Sequence, residues 1–286
     1  MISPKIEESR IRKALRDCNE RGFDVCEPKE LINKAIDQFG DSLAIACSFG
    51  ACSVAVLNMA RDLNPHIKVV FQNTGVQYPE TYAYRDQLVE GWNLNPQFIE
   101  TKPIKSFWQC LDEYGFPLES RSAKGSPGKP KCCIYLKEKP FRVAQKEHGI
   151  EAILTGLRAS ESRARMFGIG QFGQYYLNKK FGKIWKFHPI AFWNRKQVFS
   201  YFNGVQIPVN PCYEKYGLER LGCMPCTNYK GWQEVMARAN PKLYHYIQKL
   251  RGVSLIDDFI KLEDEAFNDC NQVSPRKRQV FLENWF

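Results

Sequence analysis

Residues 42–75, SLAIACSFGACSVAVLNMARDLNPHIKVVFQNTG, decide the fold. The run SLAIACSFG is continuously apolar, of strand length, and ends in small residues. ACSVAVLNMARDLN then spaces its apolar residues as a helix does, and HIKVVFQNTG after Pro65 is strand-like again. Strand, helix and strand in so short a span form a βαβ unit, whose crossover sets two parallel strands in one sheet. The expected fold class is therefore α/β, with a doubly wound parallel sheet.

The flanks extend this unit. Upstream, IEESRIRKALRDCNERG and PKELINKAIDQFG read as amphipathic helices, each closed by a glycine that can take left-handed backbone, so residues 1–40 form a helical N-terminal segment. Downstream, PETYAYRDQLVEGWN is a helix with proline at its first position, NPQFIETKP a third strand, LKEKPFRVAQKEH a helix and GIEAILTGLRA a fourth strand. GFPLESRSAKGSPGKPK, at 115–131, reads as a mobile loop. KIWKFHPIAFWNRKQVFSYFNGVQIPVNP carries a short strand and a helix. Residues 41–227 thus form the sheet domain, and 228–286 a polar helical extension ending in the basic and aromatic SPRKRQVFLENWF.

Composition narrows the function classes. The chain carries 41 Lys+Arg against 31 Asp+Glu, a net charge of +10, which favours a polyanionic partner, either nucleic acid or a phosphate-bearing small molecule. No apolar run approaches the roughly 20 residues of a membrane span, and MISPKIEESRIRKALRDCNER lacks the apolar core of an export signal. A cytoplasmic protein without a membrane partner is expected. In a reducing compartment its 11 cysteines point to metal or redox chemistry rather than disulfides. Cys18, Cys26, Cys47 and Cys110 can also be read as small buried hydrophobes.

Ser48-Phe49-Gly50-Ala51-Cys52-Ser53 stands where the first strand meets the first helix. There the helix offers unpaired N–H groups and a partial positive charge, and small residues let a phosphate or sulfate approach. The loop has neither the lysine of a Walker sequence nor the spacing of a dinucleotide-binding glycine motif. Arg158, Arg163 and Arg165 follow another strand-like run, and guanidinium groups bind phosphate oxygens bidentately. Arg158 and Arg163 are the stronger candidates to face an anion; Arg165, and Lys129 and Lys131 in the loop, also read as solvated charges.

Cys132-Cys133 and Cys223-x-x-Cys226 form a second constellation. Four thiolates suit tetrahedral zinc or an iron–sulfur cluster. Side chains of adjacent residues diverge, so a neighbouring pair serves a wide, multi-atom cluster more readily than one small ion.

SFGACS followed by VVFQNTGVQYPETYAYRD resembles the phosphoadenosine-phosphosulfate (PAPS) and adenosine-phosphosulfate (APS) reductase family, within the larger PP-loop group of adenine nucleotide alpha-hydrolase-like proteins. The resemblance runs in order through Thr155-Gly156-Leu157-Arg158, Glu161-Ser162-Arg163, HPIAFWNRKQVFSYF and IPVNPCYEKYGLERLGCMPCT, over roughly residues 40 to 230. It implies that the Ser-x-Gly loop holds a phosphate or sulfate, that Asn73-Thr74-Gly75 lies beside the adenosine, and that Gly156, Arg158 and Arg163 join the nucleotide site. It also implies a 4Fe-4S cluster on Cys132, Cys133, Cys223 and Cys226.

Two departures shape the functional expectation. The family's tail motif, Glu-Cys-Gly-x-His, supplies the attacking cysteine; here Cys270, the last cysteine, sits in FNDCNQVSP. Cys212, in Asn210-Pro211-Cys212-Tyr213, and Cys52, in the loop, are the replacement candidates for a reactive thiol. Cys52 also stands where related ATP pyrophosphatases carry Asp. The leading expectation is an ATP pyrophosphatase that adenylates nucleic acid for sulfur incorporation, of the DNA phosphorothioation or tRNA thiolation type, with Mg²⁺ bridging the phosphates. A cysteine desulfurase, nucleic acid and a second copy of the chain are its candidate macromolecular partners. The alternative is an APS or PAPS reductase forming sulfite, and a third reading is a non-catalytic nucleotide sensor.

Overall fold

The computed structural model describes residues 2–117, 130–179 and 182–251. Helices α1 (Pro4–Glu20) and α2 (Pro28–Phe39) lead into β1 (Leu43–Ala46), α3 (Ala51–Leu63) and β2 (Lys68–Gln72), the βαβ unit read from residues 42–75. Next come α4 (Pro79–Gly91), β3 (Phe98–Thr101) and α5 (Phe107–Tyr114). The short turn α6 (Lys131–Cys133) passes through a π-helical stretch, Ile134–Glu138, into α7 (Lys139–Glu147). β4 (Ala152–Thr155), α8 (Arg163–Phe172), β5 (Tyr175–Asn178) and β6 (Ile184–Phe187) follow. Helices α9 (Arg195–Val205), α10 (Cys212–Tyr216), α11 (Trp232–Ala239) and α12 (Pro241–Leu250) complete the described chain.

The sheet order is β3-β2-β1-β4-β6-β5. β1 lies between β2 and β4 and is parallel to both, with Leu43 opposite Ala152 and Ala46 opposite Thr155. The expected doubly wound parallel sheet is present, with one antiparallel pair added at its edge. β5 pairs antiparallel with β6, Tyr175 facing Phe187, because the link between them is too short for a parallel crossover.

Both faces of the central strands are covered, which is why they read as unbroken apolar runs. On one face α2, α3 and α9 bring Leu31, Val54 and Phe202 onto Leu43 and Ile45. On the other, Phe141 of α7 packs with Ala44, Val70 and Ile153. The N-terminal helices are thus built into this body. A smaller core gathers Trp108, Leu136, Trp232, Met236 and Ile247 from α5, the π-helical stretch, α11 and α12.

Among the described residues no helix is long and apolar enough to cross a membrane. The loop tract between 118 and 129, Lys129, the helix read in SLIDDFIKLEDEAF, Cys270 and the basic C-terminal cluster lie outside the described residues.

The strand order decides where a ligand can sit. From β1 the chain builds outward through β2 and β3, then returns to lay β4 on β1's other side. The chain therefore leaves β1 and β4 toward opposite sides, opening a crevice at the carboxyl ends of the strands.

Candidate functional site

A cavity of about 580 Å³ occupies this crevice. Ser48, Gly50, Cys52 and Ser53 line it from the β1–α3 loop, with Gly156 and Arg158 opposite them from the loop after β4. Phe49 sets the shape of the first loop. Its backbone takes φ 56°, a costly conformation for a bulky residue, and its fully buried ring anchors the turn against Phe71 at 5.3 Å. Asn210 Nδ2 donates to the Phe49 carbonyl at 3.2 Å. Ser53 Oγ donates to the Gly50 carbonyl at 2.9 Å and accepts from the Ser48 N–H at 3.2 Å. Protein contacts therefore fix the loop's shape, and the first turn of α3 faces the cavity as an anion-favouring helix end.

Positive charge dominates the walls: six Lys or Arg side chains against three Glu. Burial foremost, then the neighbouring Arg220 and Arg158, pull the pKa of the Arg165 guanidinium down to about 10. His188 lines the same wall with Nδ1 2.7 Å from Thr155 Oγ1. Burial, with Lys186 and Arg165 adding, lowers it to about 3, so it stays neutral near pH 7.

Arg158 is only 4% exposed. Its Nε donates to Cys52 Sγ at 3.2 Å, and Nη1 donates to Ser160 Oγ at 3.0 Å and to the Trp193 carbonyl at 3.3 Å. Carboxylates of Glu7 and Glu161 each stand 3.7 Å from it, and Glu161 also pairs with Arg165. Cys52 therefore sits in the first turn of a helix, against a guanidinium and at the cavity wall.

Cys132, Cys133, Cys223 and Cys226 line one side of that cavity. A hydrogen bond with Cys133, burial, and the charges of the other three thiols raise the Cys132 thiol. Burial, then Cys223 and Cys133, push Cys226 up to about 11. Ionisation of Cys132 and of Cys226 is thus opposed by the neighbouring thiols. Lys137 is held above its ordinary range by Cys223 foremost, despite burial, with Cys133 and Cys226 adding. Among the described residues no group of three or more His, Cys, Asp or Glu side chains is arranged to hold a metal ion. The four thiols nevertheless share one wall of the cavity, and an all-thiolate donor set is soft in character.

The remaining sequence candidates divide. Phe49 and Ala51 are buried supports of the loop. Arg163 is exposed and absent from the lining; Arg165, two residues on, is in it. Asn73 and Gly75 form a turn closed by a 2.8 Å bond from the Gly75 N–H to Asn73 Oδ1. Thr74 Oγ1 accepts from Cys223 Sγ at 3.4 Å, and the Met224 N–H donates to the Val76 carbonyl at 2.7 Å, so this turn buttresses the C-x-x-C segment. Cys212, expected as a reactive thiol, is 0% exposed and outside the lining; it packs between Thr81 and Glu80, and burial pushes its thiol up to about 11. Sequence reading missed Lys137, Arg220, Lys186, His188 and Glu7. Lys137 carried a signal, since it follows the cysteine pair by about one helical turn.

A mostly parallel sheet with helices on both faces and a cationic crevice beside its central strand is a doubly wound α/β fold built to hold an anionic ligand. Residues 42–229 match the phosphoadenosine phosphosulfate reductase domain, and the chain belongs to that family. Similar proteins include an adenosine 5'-phosphosulfate reductase of Salinibacter ruber, 31% identical over 207 residues, covering 72% of this chain and 75% of that protein. A phosphoadenosine 5'-phosphosulfate reductase of Gloeobacter violaceus is 30% identical over 209 residues, covering 72% and 80%. Among solved structures, the phosphate complex of a PAPS reductase from Candida auris shares the fold, with TM-score 0.53 and 22% identity over 69% of this chain and 88% of that one. These relatives overturn the leading functional expectation. Proteins this similar are named for APS or PAPS reduction, not for ATP-driven sulfur incorporation into nucleic acid.

Proposed function

We propose that this chain is a sulfonucleotide reductase that binds APS or PAPS in the β1/β4 crevice and releases sulfite. The observation that carries the reading is one cavity uniting a helix-end loop, an excess of cations and the Cys52 thiol. The phosphate–sulfate end of the nucleotide lies against the first turn of α3 and the Arg165 and Arg220 wall. Family membership supports the substrate class.

Cys52 is the proposed nucleophile. Its Sγ accepts from Arg158 Nε at 3.2 Å and stands in the first turn of α3 at the cavity wall, where a bound nucleotide can reach it. Sγ attacks the sulfate sulfur, and the S–O bond to the phosphate breaks. The electron pair leaves on the phosphate oxygen, giving AMP from APS or adenosine 3',5'-bisphosphate from PAPS. The loop N–H groups and the cations stabilise that developing charge. An exogenous dithiol then attacks Sγ of the Cys52 thiosulfonate, expels sulfite, and closes to a disulfide as Cys52 returns to the thiolate. The dithiol loses the two electrons that the sulfur gains.

Cys132, Cys133, Cys223 and Cys226 are the residues that would hold a 4Fe-4S cluster. Bound there, such a group would supply a cross-link between α6 and the later C-x-x-C turn and a local charge at that wall.

The test supplies purified protein with APS or PAPS and dithiothreitol, and measures sulfite and AMP or adenosine bisphosphate. Equal amounts of the two products are expected. Pyrophosphate from ATP, with no sulfite from either sulfonucleotide, overturns the reading.

A further inference from the structure

Helix α1 and the residues before it lie outside the matched family region, yet Glu7 of α1 and Ile2 just ahead of it reach the cavity. We propose that α1 is a working wall of the site, in which Glu7 is a positioning residue that aims Arg158 at Cys52. The role assigned to Cys52 rests on the sulfonucleotide reductase reading; the contacts do not.

Glu7 is a buried carboxylate, 8% exposed, on a helix whose neighbouring charges face solvent. Its Oε1 stands 3.7 Å from Arg158 Nη1, and its Oε2 accepts from the Arg195 backbone N–H at 3.2 Å, at the start of α9. One carboxylate thus ties α1 to the guanidinium and to a second helix end. Three residues on, Arg10 Nη1 donates to the Ser160 carbonyl at 2.8 Å, fixing the turn that carries Arg158.

The docking beneath these contacts is close. Gly170 of α8 meets α1 where an added Cβ would lie 2.9 Å from Asp17 Cβ, and Cys18 Sγ donates to the Ile169 carbonyl at 3.3 Å. Ala14 and Cys18 pack with Ala159, Met166 and Ile169. α1 therefore bears on both segments that supply arginines, the 158–161 turn and α8.

A guanidinium is a rigid planar fork, so holding its Nη1 edge fixes where Nε points. Without the Glu7 charge, the remaining carboxylate near Arg158 is Glu161, reached from the opposite edge through Nη2. Nη1 keeps Ser160 Oγ and the Trp193 carbonyl, but the pull of Glu161 is then unopposed by a second carboxylate, so the fork shifts toward Glu161 and the Nε contact with Cys52 loosens.

The experiment reads Cys52 itself. The full chain is treated with iodoacetamide, and alkylation of the Cys52 peptide is followed by mass spectrometry. Glu7→Gln keeps an acceptor for the Arg195 N–H and is expected to slow Cys52 alkylation on the order of threefold or more, the coupling usual between contacting residues. Arg10→Ala shifts it the same way by loosening the turn, and Glu8→Gln, on the exposed face, leaves it unchanged. In an Arg158→Ala background Glu7→Gln has no further effect, which a general loss of folding would not mimic. An unchanged or faster rate in Glu7→Gln, or an equal effect without Arg158, overturns the proposal. This readout needs no sulfonucleotide, so it stands or fails separately from sulfite formation.

Discussion

Gly156 lies so close to the Cys52 backbone that an added Cβ would sit 2.5 Å from the Cys52 carbonyl carbon and 2.6 Å from the Ser53 nitrogen. The obstructing atoms are backbone, not the yielding end of a side chain. The loops after β1 and β4 thus meet at a point where only glycine fits, and their junction forms the floor of the cavity. Gly156→Ala must push the loops apart. It is expected to cost about 1–3 kcal/mol, as overpacking does, and to weaken AMP binding. Thermal unfolding and calorimetric titration with AMP measure the two effects; unchanged AMP affinity would show that the loop junction does not shape the site.

Cys52 and Cys212 separate by environment. Cys52 is at the cavity wall beside Arg158, whereas Cys212 is fully buried. Cys52→Ser is expected to lower sulfite formation on the order of a thousandfold or more, as loss of a nucleophile does, while AMP still binds. Cys212→Ala retains sulfite formation and loses about 1 kcal/mol of stability. Mass spectrometry of the reaction quenched before dithiol is added locates the trapped sulfonate, expected on the Cys52 peptide. A trapped sulfonate on any other cysteine excludes Cys52 as the nucleophile.

The cysteine quartet makes a compositional prediction. Anaerobic reconstitution with iron and sulfide is expected to give a protein with the broad visible absorption of thiolate-ligated iron. Cys226→Ala is expected to lose both elements, and Cys110→Ala, a buried cysteine outside the quartet, to keep them. Metal analysis and acid-labile sulfide assays decide it. One zinc per chain without sulfide contradicts the cluster.

Local pattern made part of this molecule legible. The βαβ unit follows from apolar spacing within residues 42–75, and the Ser48–Ser53 loop from its place between strand and helix. The cysteine pairs were visible as pairs, although only the fold brings them to one wall. β5 was not legible, because Tyr175–Asn178 is a four-residue edge strand, half-buried throughout, with no alternation to read. α5 carried a usable signal that went unread, the Ser106/Gln109 capping box ahead of Phe107 and Trp108. Glu7 had none. Its partners are Arg158 and Arg195, the latter 188 residues away, and no periodicity encodes such a contact. Cys212 misled for the same reason, since its burial comes from residues distant in sequence, among them Thr81.

His188 provides a pH test of the site's interior. Burial, Lys186 and Arg165 together lower it from 6.5 to about 3, so the folded protein keeps it neutral while the unfolded chain takes up a proton below about pH 6.5. The unfolded state then binds more protons, and stability falls as pH falls through the window between those two values. The loss from this one residue approaches roughly 1.4 kcal/mol per pH unit once the unfolded imidazole is fully protonated. His188→Asn keeps a polar atom near the position of Nδ1, beside Thr155 Oγ1, and removes the titration. Urea unfolding of both proteins between about pH 7 and pH 5, above the range where most carboxylates titrate, is expected to show a shallower slope in the variant. Parallel slopes would mean that the imidazole is charged in the folded state, and that the cationic wall around it is less closed than its burial implies.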